Sequence, residues 1–579
     1  MTRLYLAAAA TLVPAILAAQ APRAAEAAPI TIVPAPATTL PLKHAPMPTS
    51  SDISAKDLMT RLYIYADDSL QGREAGTIGN YKATEYIAAE AKRIGLIPAG
   101  DSGTYFQTLP FKTRTLDSTS TVSVGGNALT LNTEWAATGA GALTNPNVPV
   151  IYAGTLGDTS VSLAPEQIAG KLVVYTFPAN ARRIRGGRAP QGAAAVAIIG
   201  PDNLVGNFRR PATFVDDPSR APAAAPAVAA PTIFLNQAGA ARLFATPLDQ
   251  LKPGDAGNAV AIDVKMKIEP VPYAARNVVG IIPGSDPKLK GEYVAVGAHN
   301  DHIGMTQRAV DHDSMRIFLH LVRPGGAENN RKQATPEEQA EVNRQLADWR
   351  AAHPNSARAD SISNGADDDG SGTVSVLEIA EKMASLKGRD VPKRSILFVW
   401  HVGEEKGLLG SAYYTDHPTV PRDSIVAQLN MDMVGRGDAW DVTGQSKEGG
   451  VLRGNSNYLQ LVGSRRLSSE LGNIVEQVNS SGKYGFVFDY GMDANGHPMN
   501  IYCRSDHYEY ARYGIPITFF TTGGHSDYHQ VTDEPQYIDY DHMARVGKLV
   551  EDIAVHVANL DHRIVVDQPK PDPKGGCRQ

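Results

Sequence analysis

Five stretches of the chain set histidine or carboxylate residues at the ends of runs that read as secondary structure. Ala298-His299-Asn300-Asp301-His302 follows the apolar run Tyr293 to Gly297, and His401-Val402-Gly403-Glu404-Glu405-Lys406-Gly407 follows Ser395 to Trp400. Asn430-Met431-Asp432-Met433 closes a run that starts at Ala427, and Gly523-Gly524-His525-Ser526-Asp527-Tyr528-His529 lies past Ile515 to Phe520. Asn364-Gly365-Ala366-Asp367-Asp368-Asp369-Gly370-Ser371-Gly372 precedes a segment with helical spacing. In an open α/β sheet, functional groups gather at the carboxyl ends of strands. Carboxylates gathered there repel and raise one another's pKa unless a cation neutralises them, so a metal centre is the simplest resolution. Two histidines and three carboxylates suffice for two divalent ions about 3.5 to 4 Å apart that share one bridging Asp. Mixed imidazole and carboxylate ligation suits zinc, with cobalt or manganese as substitutes.

Taken singly, each piece has a structural reading. A histidine near a strand end is commonly a satisfied structural residue, Asp367 to Asp369 can cap the helix carrying Val374, Leu377 and Ile379, and Glu404-Glu405 can be a solvated pair at a helix start. A calcium loop is excluded: with Gly370 in the turn position, the first ligand position falls on Gly365 and the twelfth on Val376. The sequence holds no G-x-S-x-G elbow, no H-E-x-x-H helix and no P-loop. Its only cysteines, Cys503 and Cys577, exclude a disulfide scaffold and a cysteine-based zinc module, and they either pair with each other or stay free.

The elements that must position these groups follow from periodicity. The runs at Asn277 to Ile282, Tyr293 to Gly297, Ser395 to Trp400, Ala427 to Met433 and Ile515 to Phe520 are apolar throughout and separated by helical stretches. That pattern predicts an α/β fold with a mostly parallel mixed sheet flanked by helices. Met543, Val546, Val550, Ile553, Val557 and Leu560 recur at spacings of 3, 4, 3, 4 and 3, one apolar stripe of a final helix. Near the N-terminus Ser54 caps a helix carrying Leu58 and Leu62, and Asn80 opens a second with Tyr81, Ala88 and Ala91 that Gly95 ends. Between them lies the glycine-punctuated loop Leu70 to Gly76.

Two insertions interrupt this plan. Residues 147–263 hold short β-branched runs, Val148 to Tyr152, Lys171 to Phe177 and Ala195 to Ile199, and an Ala/Pro tract from Arg220 to Pro231 that reads as a surface excursion. Residues 306–363 are polar, contain a helix start at Pro336-Glu337-Glu338-Gln339, and are a candidate lid or rim. The expected organisation is therefore 1–27 export signal, 28–53 flexible leader, 54–146 and 264–562 the α/β domain, 147–263 its β-rich insert, and 563–579 a tail.

Length and composition agree with a globular chain. There are 579 residues, 42% hydrophobic, with 55 basic against 61 acidic side chains and a formal net charge of −6. That balance argues against a nucleic-acid partner recognised through phosphate neutralisation. Arg3 precedes an apolar run from Leu4 to Ala19, broken at Pro14, with small-residue sites at Ala19-Gln20-Ala21 and Ala25-Glu26-Ala27. This predicts a cleaved export signal too short to span a bilayer, no stable membrane insertion after cleavage, and a periplasmic or extracellular protein. Oligomeric state is not legible.

The chain resembles the M28 co-catalytic zinc peptidases, the group that contains secreted bacterial aminopeptidases. The residues that carry the resemblance are GAHNDHIG, NGADDDGSG, GEEKGLLGS, NMDM and SDYHQVTDE, in that order, within about residues 276 to 560. SDHYEYARYGIPITFF and the Leu70 to Gly76 loop are also similar to the family, and IAGKLVVY with PQGAAAVAIIG looks like a protease-associated domain. The resemblance implies two zinc ions bridged by Asp368, with His299 and Asp432 on one and Glu405 and His529 on the other. It implies Glu404 as general base, Asp301 as the carboxylate that orients His299, and Tyr528 as a hydrogen-bond donor to the oxyanion. Within the Asp triplet the choice rests on distance from Gly370-Ser371-Gly372, His529 is preferred to His525, and His302 and His401 are taken as supporting residues. The implied activity is an aminopeptidase acting on peptides. The rivals are a carboxypeptidase or dipeptidase on the same fold, a glutaminyl cyclase, and a non-catalytic binding protein.

Overall fold

In the computed structural model the apolar runs become neighbouring strands of one sheet. Residues 40–579 are described, except 140, 159, 161, 179–189, 202–204, 206–210, 218–229 and 330–331. The expected signal and most of the Ala/Pro tract lie outside the described residues.

Four central strands are parallel, in the order Ser395–His401, Tyr293–His299, Ile425–Met431 and Ile517–Thr521. Every residue of Ser395–His401 and Ile425–Met431 is buried, as strands covered on both faces must be. Ala275–Ile282 and Tyr458–Val462 flank this block antiparallel, so the sheet is mixed. One face is covered by the helices Ala55–Tyr65, Ile78–Ile94, Gly372–Ser385 and Tyr540–Asn559, whose buried side chains share one core with the strands. The final helix buries Met543, Val546, Val550, Ile553 and Val557, the stripe read from spacing.

Ser54 caps its helix, its side chain accepting from Asp57 N at 3.1 Å, and Gly95 ends the next helix at φ 91°, a backbone state open to glycine at little cost. Asn80 is not the opener. That helix begins at Ile78 after Thr77, and the fully buried Asn80 amide donates instead to Asn300 Oδ1 at 2.9 Å. The stretch after Leu40, expected to be a flexible leader, is tied to two helices: Thr49 Oγ1 donates to Glu381 of the helix Gly372–Ser385 at 2.8 Å, and Ser50 Oγ to Asp57 of the first helix at 2.7 Å.

A second sheet of eight strands has its own core around Trp135, Val174 and Ile233. Its strands Thr121–Val124 and Trp135–Thr138 lie upstream of 147, and the expected boundary cuts through Leu143–Thr155. Pairing across the chain, antiparallel from Trp135–Thr138 to Thr232–Leu235, draws those residues in. Cys503 and Cys577 form a disulfide with Cα atoms 5.8 Å apart, joining the tail to the main domain. Among the described residues no helix is long and apolar enough to cross a membrane.

Candidate metal centre

Sheet register brings the chemistry together. His299 lies opposite His401 at the ends of adjacent parallel strands, and Gly297 opposite Asn430 on the other side. The segments that follow, with Asp301, Glu404, Glu405 and Asp432, therefore emerge at one sheet edge. The Asp triplet enters from the start of helix Gly372–Ser385, and His529 from the loop after Ile517–Thr521.

His299 Nδ1 stands 3.1 Å from the carbonyl oxygen of Asp301. A carbonyl only accepts, so Nδ1 carries a proton and Nε2 is the ring nitrogen turned toward the carboxylates. Nε2 faces Asp368 Oδ1 at 3.2 Å and Asp432 Oδ1 at 3.7 Å. The orienting contact from Asp301 is thus its backbone. Its carboxylate Oδ1, 3.7 Å from the ring, accepts from the amides of Gly403 at 2.7 Å and Glu404 at 3.1 Å. Tyr65 Oη donates to Asn300 O at 2.8 Å, so both N-terminal helices pin the segment beside His299.

Within the triplet the three carboxylates have different partners. Asp367 Oδ1 accepts from Gly435 N at 2.7 Å, and its Oδ2 is 3.3 Å from His525 Nε2. Asp369 Oδ2 accepts from His299 N at 2.9 Å, and its Oδ1 from Gly372 N at 2.9 Å and Met433 N at 3.3 Å. Asp368 turns one oxygen to each side: Oδ1 to His299, and Oδ2 to His529 Nε2 at 3.0 Å. Asp533 fixes this arrangement by accepting the backbone N–H groups of Asp367 and Asp368, at 3.0 and 3.1 Å. Arg73, buried over the Tyr65 ring, donates to Asn364 O at 2.5 Å and Gly365 O at 2.8 Å, anchoring the loop ahead of the triplet.

Two sets of metal-type ligands result. His302, Asp368, Glu405 and His529 present atoms all within 4.8 Å of one another, as do His299, Asp369 and Asp432. His529 Nε2 is 3.0 Å from Glu405 Oε1, and His302 Nδ1 is 2.9 Å from that same oxygen and 3.6 Å from Asp368 Oδ2. His302, read from the sequence as a supporting residue, therefore faces the ligand set directly. Its signal was faint: it follows Asp301 in a segment that already offered a ligand. Ser505, the first residue of SDHYEYARYGIPITFF, donates from Oγ to Asp432 Oδ2 at 2.7 Å, an orienting role the sequence did not assign it. His401 lies apart, Nε2 3.0 Å from Tyr510 Oη and Nδ1 3.5 Å from Asp506, and His525 is engaged by Asp367.

The donor set fits a metal. His299 Nε2, His302 Nδ1, Asp368 Oδ2 and Glu405 Oε1 are buried and have no hydrogen-bond partner, a costly state for polar atoms unless a cation satisfies them. Burial works to raise the Asp368 carboxyl, yet His299, His302 and His529 hold it well below the usual range. Burial and Asp368 raise Glu405, but His529 and His302 bring it to about 2. Burial pushes Glu404 well above the carboxylate range; His299 draws it down, and Asp432, Glu405 and Asp506 add to the rise.

Beside the cluster opens a cavity of about 250 Å³, lined at one end by Asp368, Glu404, Asp432 and His529. Met433, Val442, Met492, Met499, Ile501 and Phe519 line it as well, giving it an apolar wall. Tyr528 lies on the lining with its ring stacked on His529 at 4.0 Å between centroids. The insertion 306–363 folds as a strand pair with helices His312–Val322 and Pro336–Ala352, the latter capped by Thr335. It packs on the loop carrying His529: His320 Nε2 is 2.9 Å from Ser526 Oγ, His312 Nε2 is 3.0 Å from Glu534 Oε2, and Pro324, Gly325 and Glu328 join the cavity lining.

Residues 349–554 match the Peptidase family M28. The match takes in Asp368, Glu404, Glu405, Asp432 and His529, and it begins inside the insertion, downstream of His299 and Asp301. Leucine aminopeptidase 1 of Paracoccidioides brasiliensis (strain Pb18) is 30% identical over 207 residues, 34% of this chain and 46% of that protein. Leupeptin-inactivating enzyme 1 of Streptomyces exfoliatus is 38% identical over 98 residues, 16% of this chain and 22% of that protein. The chain thus spans less than half the length of these curated relatives. The solved aminopeptidase from Aneurinibacillus sp. strain AM-1 is 16% identical with a TM-score of 0.50, covering 90% of this chain and 97% of that one, a likeness of fold. The family match upholds the M28 resemblance over the four motifs from Asn364 to Glu534; GAHNDHIG lies ahead of it.

Proposed function

We propose that the protein is an exported zinc exopeptidase that removes N-terminal residues from peptides. The observation that carries this reading is the position of Asp368 between two histidines, one oxygen 3.2 Å from His299 and the other 3.0 Å from His529. On this reading Asp368, His299, Asp432, Glu405 and His529 would hold the zinc, His299 and Asp432 on one side of Asp368 and Glu405 and His529 on the other. Cobalt or manganese are candidate substitutes. When bound, the ions would lower the pKa of water and polarise the scissile carbonyl.

The protein's own groups do the rest. Glu404, on the cavity lining beside the cluster, takes the proton of the attacking water and returns it to the leaving amine. Asp301 holds the backbone of Gly403 and Glu404, which aims that carboxylate. Burial raises the Tyr528 phenol, against His529 and Arg504, so its hydroxyl keeps a proton to donate to the developing oxyanion. The apolar wall favours an apolar first side chain. The two oxygens of Asp368 facing different histidines support this reading over a one-metal cyclase. The eight-stranded sheet is proposed as the protease-associated unit, supported by its strands Leu172–Thr176 and Ala195–Ile199 lying side by side. The apolar leader after Arg3 supports export.

The test is turnover of aminoacyl chromogenic amides beside N-blocked counterparts, before and after chelation and zinc re-addition, with Glu404→Gln in parallel. Cleavage of free amines only, restored by zinc and lowered about 10²-fold or more by Glu404→Gln, is the expected result. Cleavage of blocked peptides, or Glu404→Gln activity within threefold of the parent, overturns the reading or the base assignment respectively.

A further inference from the structure

The cavity contains one cationic side chain of the lysine or arginine type among its described lining residues, Arg504. An arginine beside the reacting centre of an exopeptidase is a ready anchor for a substrate α-carboxylate, because its planar fork matches that group with charge-assisted hydrogen bonds. Here the fork is already engaged. Glu328 Oε1 lies 2.7 Å from Arg504 Nη2, with the side chains 34% and 25% exposed, so the pair is half-buried on the cavity wall rather than freely solvated. The same Nη2 is 3.5 Å from Tyr528 Oη.

Glu328 reaches this position through backbone fit. It belongs to the turn Gly326–Asn329 of the insertion, and Ala327 N donates to Tyr528 O at 3.2 Å. Gly326 has φ 56°, and a Cβ built on it would stand 2.5 Å from His525 O, so the turn lies flush on the loop that carries His529. A glycine is required where backbone approaches backbone this closely. The backbone of Glu328 is thus set beside the cavity, from where its carboxylate reaches Arg504. The other carboxyl groups on the lining, Asp368, Glu404 and Asp432, belong to the catalytic end.

We propose that Glu328 is a specificity-determining residue that masks Arg504, so that substrates gain nothing at this wall from a free α-carboxylate close to the scissile bond. The inference rests on the exopeptidase reading of the site and deepens it. A masked arginine leaves the wall without net charge, which suits longer chains and amidated ends and withholds the anchor that a dipeptidase or carboxypeptidase needs. The insertion thereby selects substrates through one charge and not only through bulk.

The test reads binding, so that it stands apart from turnover. Zinc-reconstituted full-length protein carrying Glu404→Gln is titrated by calorimetry with a leucyl dipeptide and with its C-terminal amide, with and without Glu328→Gln. With Glu328 present, acid and amide bind within about threefold of each other; Glu328→Gln shifts the ratio toward the acid by about tenfold or more, the worth of one charge-assisted hydrogen bond set free. Adding Arg504→Gln to Glu328→Gln returns the ratio to its starting value. A ratio that stays within twofold on Glu328→Gln, with zinc content and circular dichroism unchanged, overturns the proposal, as does failure of both peptides to bind either protein. Hydrolysis of the dipeptide in the Glu404→Gln background contradicts the base assignment instead, and the masking is then read from the kcat/KM ratio of acid to amide.

Discussion

Asp301 reaches across from the first motif to the third: its Oδ1 accepts the backbone N–H of Glu404 at 3.1 Å, together with that of Gly403 at 2.7 Å. The strand end that presents the proposed base is therefore held by a buried carboxylate from a neighbouring strand. Removing that carboxylate leaves two buried N–H groups without an acceptor, a cost of about 1 to 3 kcal/mol each that the turn relieves by moving. Asp301→Ala is expected to lower kcat about 10- to 100-fold and to weaken zinc retention, whereas Asp301→Asn, which keeps a carbonyl oxygen at that place, retains more activity. Steady-state kinetics on the two variants checks this, and equal activities would show that the acceptor role is unimportant.

Asp368 divides its oxygens between two histidines, while those of Asp369 are taken by three backbone amides. Asp368→Ala should abolish two-ion stoichiometry, measured by elemental analysis after zinc loading and desalting. Asp369→Ala should lower the melting temperature, because the amides of His299, Gly372 and Met433 lose their acceptor. An Asp368→Ala protein that still holds two ions would exclude it as the bridge.

His302 supplies a buried ring nitrogen 2.9 Å from Glu405 Oε1. On the proposed two-zinc reading, its loss acts on the ion that Glu405 and His529 would hold. His302→Ala is expected to weaken one zinc by about 10- to 100-fold and leave the other close to its parental affinity, in chelator competition. Uniform weakening of both ions would place its influence on Asp368 instead.

Glu551 in the final helix gives a pH signature remote from the metal centre. Burial and the adjacent Asp552 push its carboxyl to about 7, with Lys382 opposing. The folded state then binds more protons than the unfolded chain between an ordinary carboxyl value of about 4.3 and that pKa, so stability falls as pH rises through this window and levels off above it. Glu551→Gln removes the ionisable group. Between pH 5 and pH 8 the parent should lose about 1 to 3 kcal/mol that the variant keeps, seen as a smaller drop in melting temperature for Glu551→Gln. Identical drops would show that Glu551 ionises freely in the fold.

The strand ends were legible in the sequence because burial on both faces leaves an uninterrupted apolar run, and because His299, Glu404, Glu405, Asp432 and the Asp triplet follow such runs or begin a helix. The stripe from Met543 to Val557 was legible for the same local reason, a period matching one helix face. The capping roles of Ser54 and Gly95, and the helix start at Pro336, needed only the neighbouring few residues. Asn80 misled because it is a good capping residue whose amide, in the folded chain, is drawn to Asn300, 220 residues away in sequence. The start of the second sheet at Thr121 was hidden in the same way, since Trp135–Thr138 finds its partner only at Thr232–Leu235.

What the sequence by itself determined is the chemistry available, the kinds of ligand, their order and the sheet that carries them, since these depend on side-chain type and on spacing along a strand or helix. What only the tertiary structure decided is direction: that Asp368 and not its neighbours faces two histidines, that His302 turns toward Glu405, and that Glu328 meets Arg504. Three adjacent aspartates are indistinguishable to any local rule. They separate when the amides of Gly435, His299, Gly372 and Met433 claim the oxygens of Asp367 and Asp369, because a buried N–H must find an acceptor and the register of distant strands settles which one it reaches.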